Sequence, residues 1–554
     1  MPEFWNFCRK KKIYLLLFFV GIFIYGNALV NQLFWDDNDG IVNNAYIKDW
    51  QYLPNYFSEN LIAGAGLSSN YWRPILLIIY SVEWQTWGLW PTGFHLISIL
   101  THIFASFLLF RFFQLLTQKK WLAFFSTLLF LVHPLQTEAV TYVSGLADPL
   151  STVFILLGLI YYLKRGRENI LWPVWFFFIL ALMTKEKALL IFPALLAILE
   201  LTLFFQTTAI KINLNAVKAW FLTKLKLLWP VLAIGSFYAL LRATSLNFQN
   251  TFNLYDGPST YADSLLVRTW TFFKIFPEYL KLLFWPFNLH MERLVQIEYS
   301  PFSPLVLLGL FLLLLFLFRA LSQARKNPPI FFALGWFLLS LLSSSGIPAV
   351  SSGIMYEHYL YLPLAGFFLW LGLELEKLIT HSKNQSAFKK ATFGLVIVFV
   401  FFLSVLTIQR NRVWKTPITL YENILKYNQT SLRVWNNLGM AYADANQMEK
   451  AINAYQTALR LDPEKVSAPP YHNLANAFSA LGKKDEAIAN YKEALKINPD
   501  FTFSYGALFN LFLAEKKYTE GIAFFKDLRQ KAPGNTDLIA KIITLLEKAQ
   551  TGAK

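Results

Sequence analysis

For its first 410 residues this chain turns apolar again and again, each time for close to the length of a hydrocarbon core. Such stretches lie near 13–30, 94–116, 121–142, 149–163, 171–184, 188–206, 228–244, 303–320, 329–345, 359–376 and 391–409, against the roughly 20 residues that a helix needs to cross about 30 Å. Inside a bilayer the backbone must satisfy its own polar groups, and continuous apolar stretches of this length read as helices. A mean hydropathy of +0.40, with 53 Phe and 18 Trp, excludes a soluble globule. The expected fold is all-α, a polytopic helical domain with eleven crossings.

Short basic loops stay on the cytoplasmic side. Under an eleven-crossing count, Arg9 to Lys12, Lys119 with Lys120, Lys164 to Arg167, Lys211 to Lys226, Arg319 to Lys326 and Lys377 to Lys390 all fall on one side. The other side holds Asp36 to Asp39, Glu138, Asp148, Lys185, Glu357 and the whole C-terminal region. The formal net charge of +16 reflects this cytoplasmic bias and calls for no nucleic-acid partner. The stretches 73–90 and 266–288 are interrupted by charge or proline and read as interfacial or re-entrant helices. The basic start and first apolar run lack a small-residue cleavage site and read as a retained span. Cys8 is the only cysteine, so neither a disulfide nor a Cys-ligated metal is expected.

From about residue 410 the chain becomes polar and repetitive. Trp435, Leu438, Gly439, Tyr442, Ala451, Tyr455, Ala458 and Pro463 recur as Tyr471, Leu474, Ala475, Phe478, Ala487, Tyr491, Ala494 and Pro499. A third copy runs through Tyr505, Leu508, Gly521, Phe525 and Pro533. The pattern resembles the tetratricopeptide repeat (TPR), paired helices that stack into a superhelix with a concave groove. Tyr421 precedes Tyr455 by 34 residues, which marks a degenerate half-repeat. The expected division is a membrane domain over 1–409, a junction over 410–431, three repeats over 432–535 and a capping helix with tail over 536–554. The repeated small and aromatic positions are packing positions; function belongs to the groove, whose usual occupant is a protein or peptide, with dimerisation as the alternative.

The chemistry-bearing groups gather on one membrane face. Three aspartates follow the first span in Phe34 to Gly40, where carboxylates at a bilayer surface are costly. Later loops bring His133, Glu138 and Asp148, then Lys185, Glu186 and Lys187, then Glu357 and His358. These elements resemble those of the transmembrane and TPR-containing O-mannosyltransferase-like family, of the GT-C glycosyltransferase fold. The matching positions are Asp36-Asp37, Tyr71 with Arg73-Pro74, Phe94-His95, His133 to Val140 with Gly145 and Asp148, Lys185-Glu186, and Glu357 to Pro363. The chain departs from the family pattern at Leu146 and His358, where arginines are usual. If those arginines bind donor phosphate, Arg73 and Lys185 must carry more of that task here.

The resemblance implies transfer of a sugar from a polyprenyl-phosphate lipid to an acceptor, a protein hydroxyl presented by the repeats. The acceptor hydroxyl needs a carboxylate to take its proton, which assigns Asp36 or Asp37 as base and predicts inversion at the anomeric carbon. The departing phosphate needs fixed cations. Arg73 and Lys185 would clamp it, His95 or His133 would touch it, and Glu138, Asp148, Glu186 and Glu357 would support the site. Asp36, Asp37 and Glu138 could also hold a divalent cation such as Mg or Mn, though no cofactor is certain.

Plainer roles exist for each residue. Asp36-Asp37 could only mark a solvated span exit, His133 and Glu138 could cap loops, and His95 could bond a neighbouring helix. Asp148 could be a helix N-cap, and Lys185-Glu186 an internal ion pair. Two other functions compete. An O-antigen ligase or polymerase-like enzyme would carry its essential Arg and His in a large late loop and need no acidic pair after the first span. A non-enzymatic TPR scaffold would need one or two spans and no polar constellation. Short loops and the lack of disulfides favour a bacterial inner membrane, with the N-terminus cytoplasmic and the repeats extracytoplasmic.

Overall fold

A computed structural model describes residues 2–164, 171–207, 214–248, 260–347, 353–382 and 385–552. Arg165, Arg167, Lys211 and Lys383, counted among the basic loops, lie outside these residues. The described chain is helical and divides into two compact units, Met1–Lys415 and Thr416–Lys554. The boundary expected after residue 409 falls inside a helix that continues to Val413.

The longer helices of the first unit are α1 (Pro2–Tyr25), α2 (Pro74–Trp87), α3 (Pro91–Thr117), α4 (Lys120–Val132), α5 (Ala147–Lys164), α6 (Trp172–Leu182), α7 (Ala188–Thr207), α8 (Leu214–Ala243), α9 (Leu265–Phe284), α10 (Pro304–Gln323), α11 (Pro328–Leu342), α12 (Pro363–His381) and α13 (Gln385–Val413). Proline opens α2, α3, α10, α11 and α12, where its fixed φ suits the first turn and its missing N–H costs nothing. Every apolar stretch read from the sequence contains a helix. Among the described residues six helical segments are long and apolar enough to cross a membrane, or seven if α4 and Pro134–Val140, bent by 55°, make one span. Three others, Trp172–Leu182, Leu228–Ala243 and Pro328–Leu342, are apolar but shorter. The chain is therefore a multi-pass membrane protein.

Burial separates inner from outer helices. The Val143–Lys164 segment has 72% of its best window buried inside the protein, against 17% for α10 and 11% for Ser386–Val413. Outward side chains such as Phe311, Phe318, Val398 and Phe401 are exposed, as lipid-facing apolar groups are. One large core links α1, α3, α4, α5, α6, α7, α9, α11, α12 and α13. A smaller cluster of Ile41, Ile47, Tyr56, Leu76, Leu77, Tyr80, Phe94, Val143 and Leu146 seats the segment after α1 on α2 and on the turn before α5.

The second unit contains α14 (Pro417–Leu425), α15 (Leu432–Asp444), α16 (Met448–Arg460), α17 (Ala468–Ala480), α18 (Lys484–Ile497), α19 (Phe503–Ala514), α20 (Tyr518–Lys531) and α21 (Thr536–Thr551). The pairs α15–α16, α17–α18 and α19–α20 are the three expected repeats. Gly439 shows why small residues recur: a Cβ there would stand 2.4 Å from the ring of Tyr455.

Candidate functional site

The turn carrying the acidic pair is strained and pinned. Trp35 has φ of 59°, a left-handed conformation that costs a residue with a Cβ roughly 1–2 kcal/mol. The backbone N–H of Phe34 donates to Asp37 Oδ2 at 3.3 Å, and that of Asp36 donates to the Tyr142 hydroxyl at 3.0 Å. Asp37 Oδ1 accepts from the Ser144 backbone N–H at 2.8 Å and from the Ser144 hydroxyl. Asp37 is buried and Asp36 exposed. Burial pushes the Asp37 carboxyl up to about 7 even though Ser144 and Phe34 bond to it.

Residues 133–148 form the platform beneath this turn. A Cβ on Gly145 would come within 2.6 Å of the Glu138 carbonyl oxygen, so the fold back from Glu138 to Gly145 requires a glycine. Thr141 donates to Asn411 Oδ1 at 2.7 Å, and the Asn411 amide donates to the Ile24 carbonyl and to Asn27 Oδ1. One asparagine thus ties the platform to the ends of α1 and α13.

Around it lie buried ion pairs drawn from distant parts of the chain. Arg73 clasps Glu186 through Nη2–Oε1 at 2.8 Å and Nε–Oε2 at 3.2 Å, and its guanidinium stacks 4.3 Å from the Tyr71 ring. Lys185 Nζ meets Asp148 Oδ1 at 2.6 Å. The adjacent Lys185 and Glu186 are thus both paired, but to other elements and not to each other. Burial acts to raise the Glu186 carboxyl, and Arg73 outweighs it and holds the group below the usual range. Glu138 accepts from His358 through Nδ1 at 2.8 Å and backbone N at 3.1 Å. Glu357, fully buried, accepts from the His290 backbone N–H at 2.6 Å, from Arg293 at 3.1 Å and from Arg410 at 3.2 Å.

These pairs form one electrostatic neighbourhood. Asp148 feels His358 and Lys187 besides Lys185, Glu138 feels Arg410, and the Tyr80 hydroxyl feels both Asp37 and Arg73. Lys187 differs from the other cations: its Nζ donates to the Ser344 hydroxyl at 2.9 Å and sits 3.6 Å from the centre of the Tyr359 ring. Burial, then the charge of Lys185, pushes its ammonium well below the ordinary lysine range.

The two expected histidines stand apart from these pairs. His133 is fully buried, with one ring nitrogen at the Leu283 carbonyl and the other accepting from the Leu135 backbone N–H. His95 is buried beside the backbone of Asn31, Gln32 and Thr141, and neither ring nitrogen reaches hydrogen-bonding geometry. Asp148 is the second residue of α5. Among the described residues no three His, Cys, Asp or Glu side chains converge as a metal ion would need. Of the set expected to hold one, Asp37 is occupied by Ser144 and Glu138 by His358.

Sequence reading missed Arg293, Arg410, Asn411, Tyr142 and Ser144, and it named Lys187 without giving it a role. Arg410 carried a usable signal, because a permanent cation closing an apolar run demands a buried partner.

Tetratricopeptide repeat family models match residues 430–500 and 472–536. Protein O-mannosyl-transferase F38B6.6 of Caenorhabditis elegans is 27% identical over 461 residues, covering 81% of this chain and 62% of that protein. Human protein O-mannosyl-transferase TMTC3 is 24% identical (80% and 51% covered), and mouse TMTC4 is 26% identical (82% and 66%). The chain is a homologue of the TMTC protein O-mannosyl-transferases. It spans between half and two-thirds of the length of these relatives. A solved chain of the APC/C hetero-tetramer Cut9-Hcn1 aligns at 15% identity over 85% of this chain and 96% of its own, with a TM-score of 0.21, too low to indicate a shared fold.

Proposed function

We propose that this homologue is a membrane glycosyltransferase that moves a sugar, mannose by analogy with its relatives' names, from a polyprenyl-phosphate lipid to a protein hydroxyl. The observation that carries the reading is the acidic turn itself, strained at Trp35 and held by Tyr142 and Ser144 beside a set of buried cations. A general base must first be reachable by its substrate, and only then have a suitable pKa. The exposed Asp36 is therefore assigned as the base, with Asp37 as the positioning residue that fixes the turn. Arg73 and Lys185 face the donor phosphate from the rigid seats that Glu186 and Asp148 give them. Lys187 joins them, because its partners among the described residues are a hydroxyl and a ring, and a bound phosphate would restore the charge that burial discourages. As the bond from the anomeric carbon to phosphate breaks, the acceptor oxygen attacks from the opposite face and its proton passes to Asp36.

In this reading the repeats capture the acceptor protein, and the face bearing Asp36 is extracytoplasmic, opposite the basic loops. A bacterial inner membrane rests on the short loops and the lone cysteine, and the relatives named above are animal proteins. The deciding experiment is extraction of lipid from the purified protein, followed by incubation with an acceptor. A co-purifying polyprenyl-phosphate sugar, and a product of inverted anomeric configuration, are expected. A nucleotide sugar used directly, or retention at the anomeric carbon, would sink the reading.

A further inference from the structure

At the far end of the helices that carry the candidate site lies a cavity of about 310 Å³ lined by Lys119, Gln323, Lys326, Lys377, Thr380 and His381, among others. The opposition follows from chain direction. Helix α3 starts near the buried His95 and ends two residues before Lys119, and α12 starts six residues after Glu357 and ends at His381. At 1.5 Å per residue the cavity is roughly 30–40 Å from the acidic turn. It belongs to no part of the mechanism above.

The lining has the chemistry of an anion site. Three lysines face one carboxylate, Glu376, and that carboxylate is engaged by Lys119 at 2.8 Å. Lys326 and Lys377 have no carboxylate partner among the described residues. Gln323 adds a second observation: the residue is 5% exposed, its amide has no hydrogen-bond partner among the described residues, and it lines the cavity. The amide atoms keep contact with solvent, so on this lining residue they are available to bond what enters the cavity. The sequence also assigned three separate basic loops, at Lys119, at Arg319 to Lys326 and at Lys377 to Lys390, to the cytoplasmic side. The fold draws all three to one concave point, where a bilayer presents its anionic head groups.

We propose that this cavity binds a phosphate-bearing anion, with Lys326 and Lys377 meeting the charge and Gln323 bonding a phosphate oxygen. The source is either a phospholipid head group or a free phosphoanion, and the volume suits a phosphate with a small polyol. Such a ligand would clamp the α3–α4 connection, the α10–α11 connection and the end of α12 together.

The test uses the full chain in micelles of equal phosphatidylglycerol and phosphatidylcholine, with retained lipid counted by native mass spectrometry and thermal unfolding followed with and without inorganic pyrophosphate. Preferential retention of phosphatidylglycerol is expected, reduced at least about tenfold by K326E/K377E, since each basic side chain near a membrane surface contributes about 1 kcal/mol, and tenfold is 1.4 kcal/mol. Gln323→Leu, which changes no charge, should weaken retention as well. Stabilisation by pyrophosphate without lipid preference, lost in the same variants, would identify the source as soluble phosphate. The proposal is overturned if neither phosphate source is preferred. It is equally overturned if K389E/K390E, exposed lysines of α13 outside the cavity, reduces binding as much as K326E/K377E does.

Discussion

In the membrane unit Lys185 and Asp148 meet at 2.6 Å with 9% and 14% of their side chains exposed, whereas in the repeat unit Lys526 and Glu547 meet at 3.2 Å with 60% and 49% exposed. The same chemistry does different things in these two settings. An exposed pair is screened by water and holds nothing in place. A buried pair has lost its hydration, so its partners are bound to each other's positions and neither can be removed cheaply. The membrane unit therefore uses ion pairs to fix geometry, and the repeat unit relies on close approach of small residues such as Gly439 and Gly521 to aromatic rings.

The largest effect should come from breaking the buried set at Glu357. Arg410→Ala leaves a fully buried carboxylate with Arg293 as its remaining guanidinium partner. Removing one member of a buried pair costs about 3–5 kcal/mol. Unfolding of the purified protein should show a loss of that order, and transfer activity should disappear with it. A cost under about 1 kcal/mol would mean that water reaches Glu357 and that the contrast between the units is weaker than the exposures indicate.

Asp36→Asn tests the chemistry with the fold left intact. The side chain is exposed, so stability should hardly move, while transfer falls about 10²–10⁴-fold, the usual contribution of a positioned base. Donor lipid should still co-purify. Asp37→Asn should lose less activity, because the turn stays pinned by Tyr142. Full activity in the Asp36 variant would return the role of base to Asp37.

How much of this was legible in the sequence follows from the same contrast. Helices and repeats are local patterns: proline at a first turn and the return of Tyr455 as Tyr491 can be read within a few dozen residues. The acidic turn, Arg73, Glu138, Asp148, Lys185, Glu186 and Glu357 could also be picked out, because charge beside apolar spans is conspicuous. Which of them pair with which could not. Arg73 and Glu186 are 113 residues apart, Glu138 and His358 220 apart, and Thr141 and Asn411 270 apart, with no period to connect them. His133 stood out in the sequence, yet its ring serves its own turn by accepting from Leu135.

A smaller effect should separate the two carboxylates of the acidic turn by pH. The folded Asp37 carboxyl lies near 7, above its ordinary value of 3.8. A group raised on folding lends stability that is complete below pH 3.8 and lost as pH rises through about 7. Asparagine mimics the neutral acid, so Asp37→Asn should match the native protein near pH 4 and exceed it at pH 8, by about 2 °C or more in Tm. Equal Tm curves across that range would show that Asp37 is ionised without penalty and that its burial is relieved by water.

The smallest effect belongs to the repeat unit and completes the comparison. Lys526→Ala removes a partner from a pair that is half exposed on both sides, so the loss should stay within about 0.5 kcal/mol and shrink in 1 M salt, where charges are screened within roughly 3 Å. A double-mutant cycle with Glu547→Ala isolates the pair from the packing of the lysine stem. The same cycle on Lys185 and Asp148 should give a coupling several times larger and nearly independent of salt, because no ions enter their buried seat. If the two couplings were equal, exposure would not be what distinguishes the units, and the ion pairs beside the acidic turn would lose their claim to be the frame that holds it.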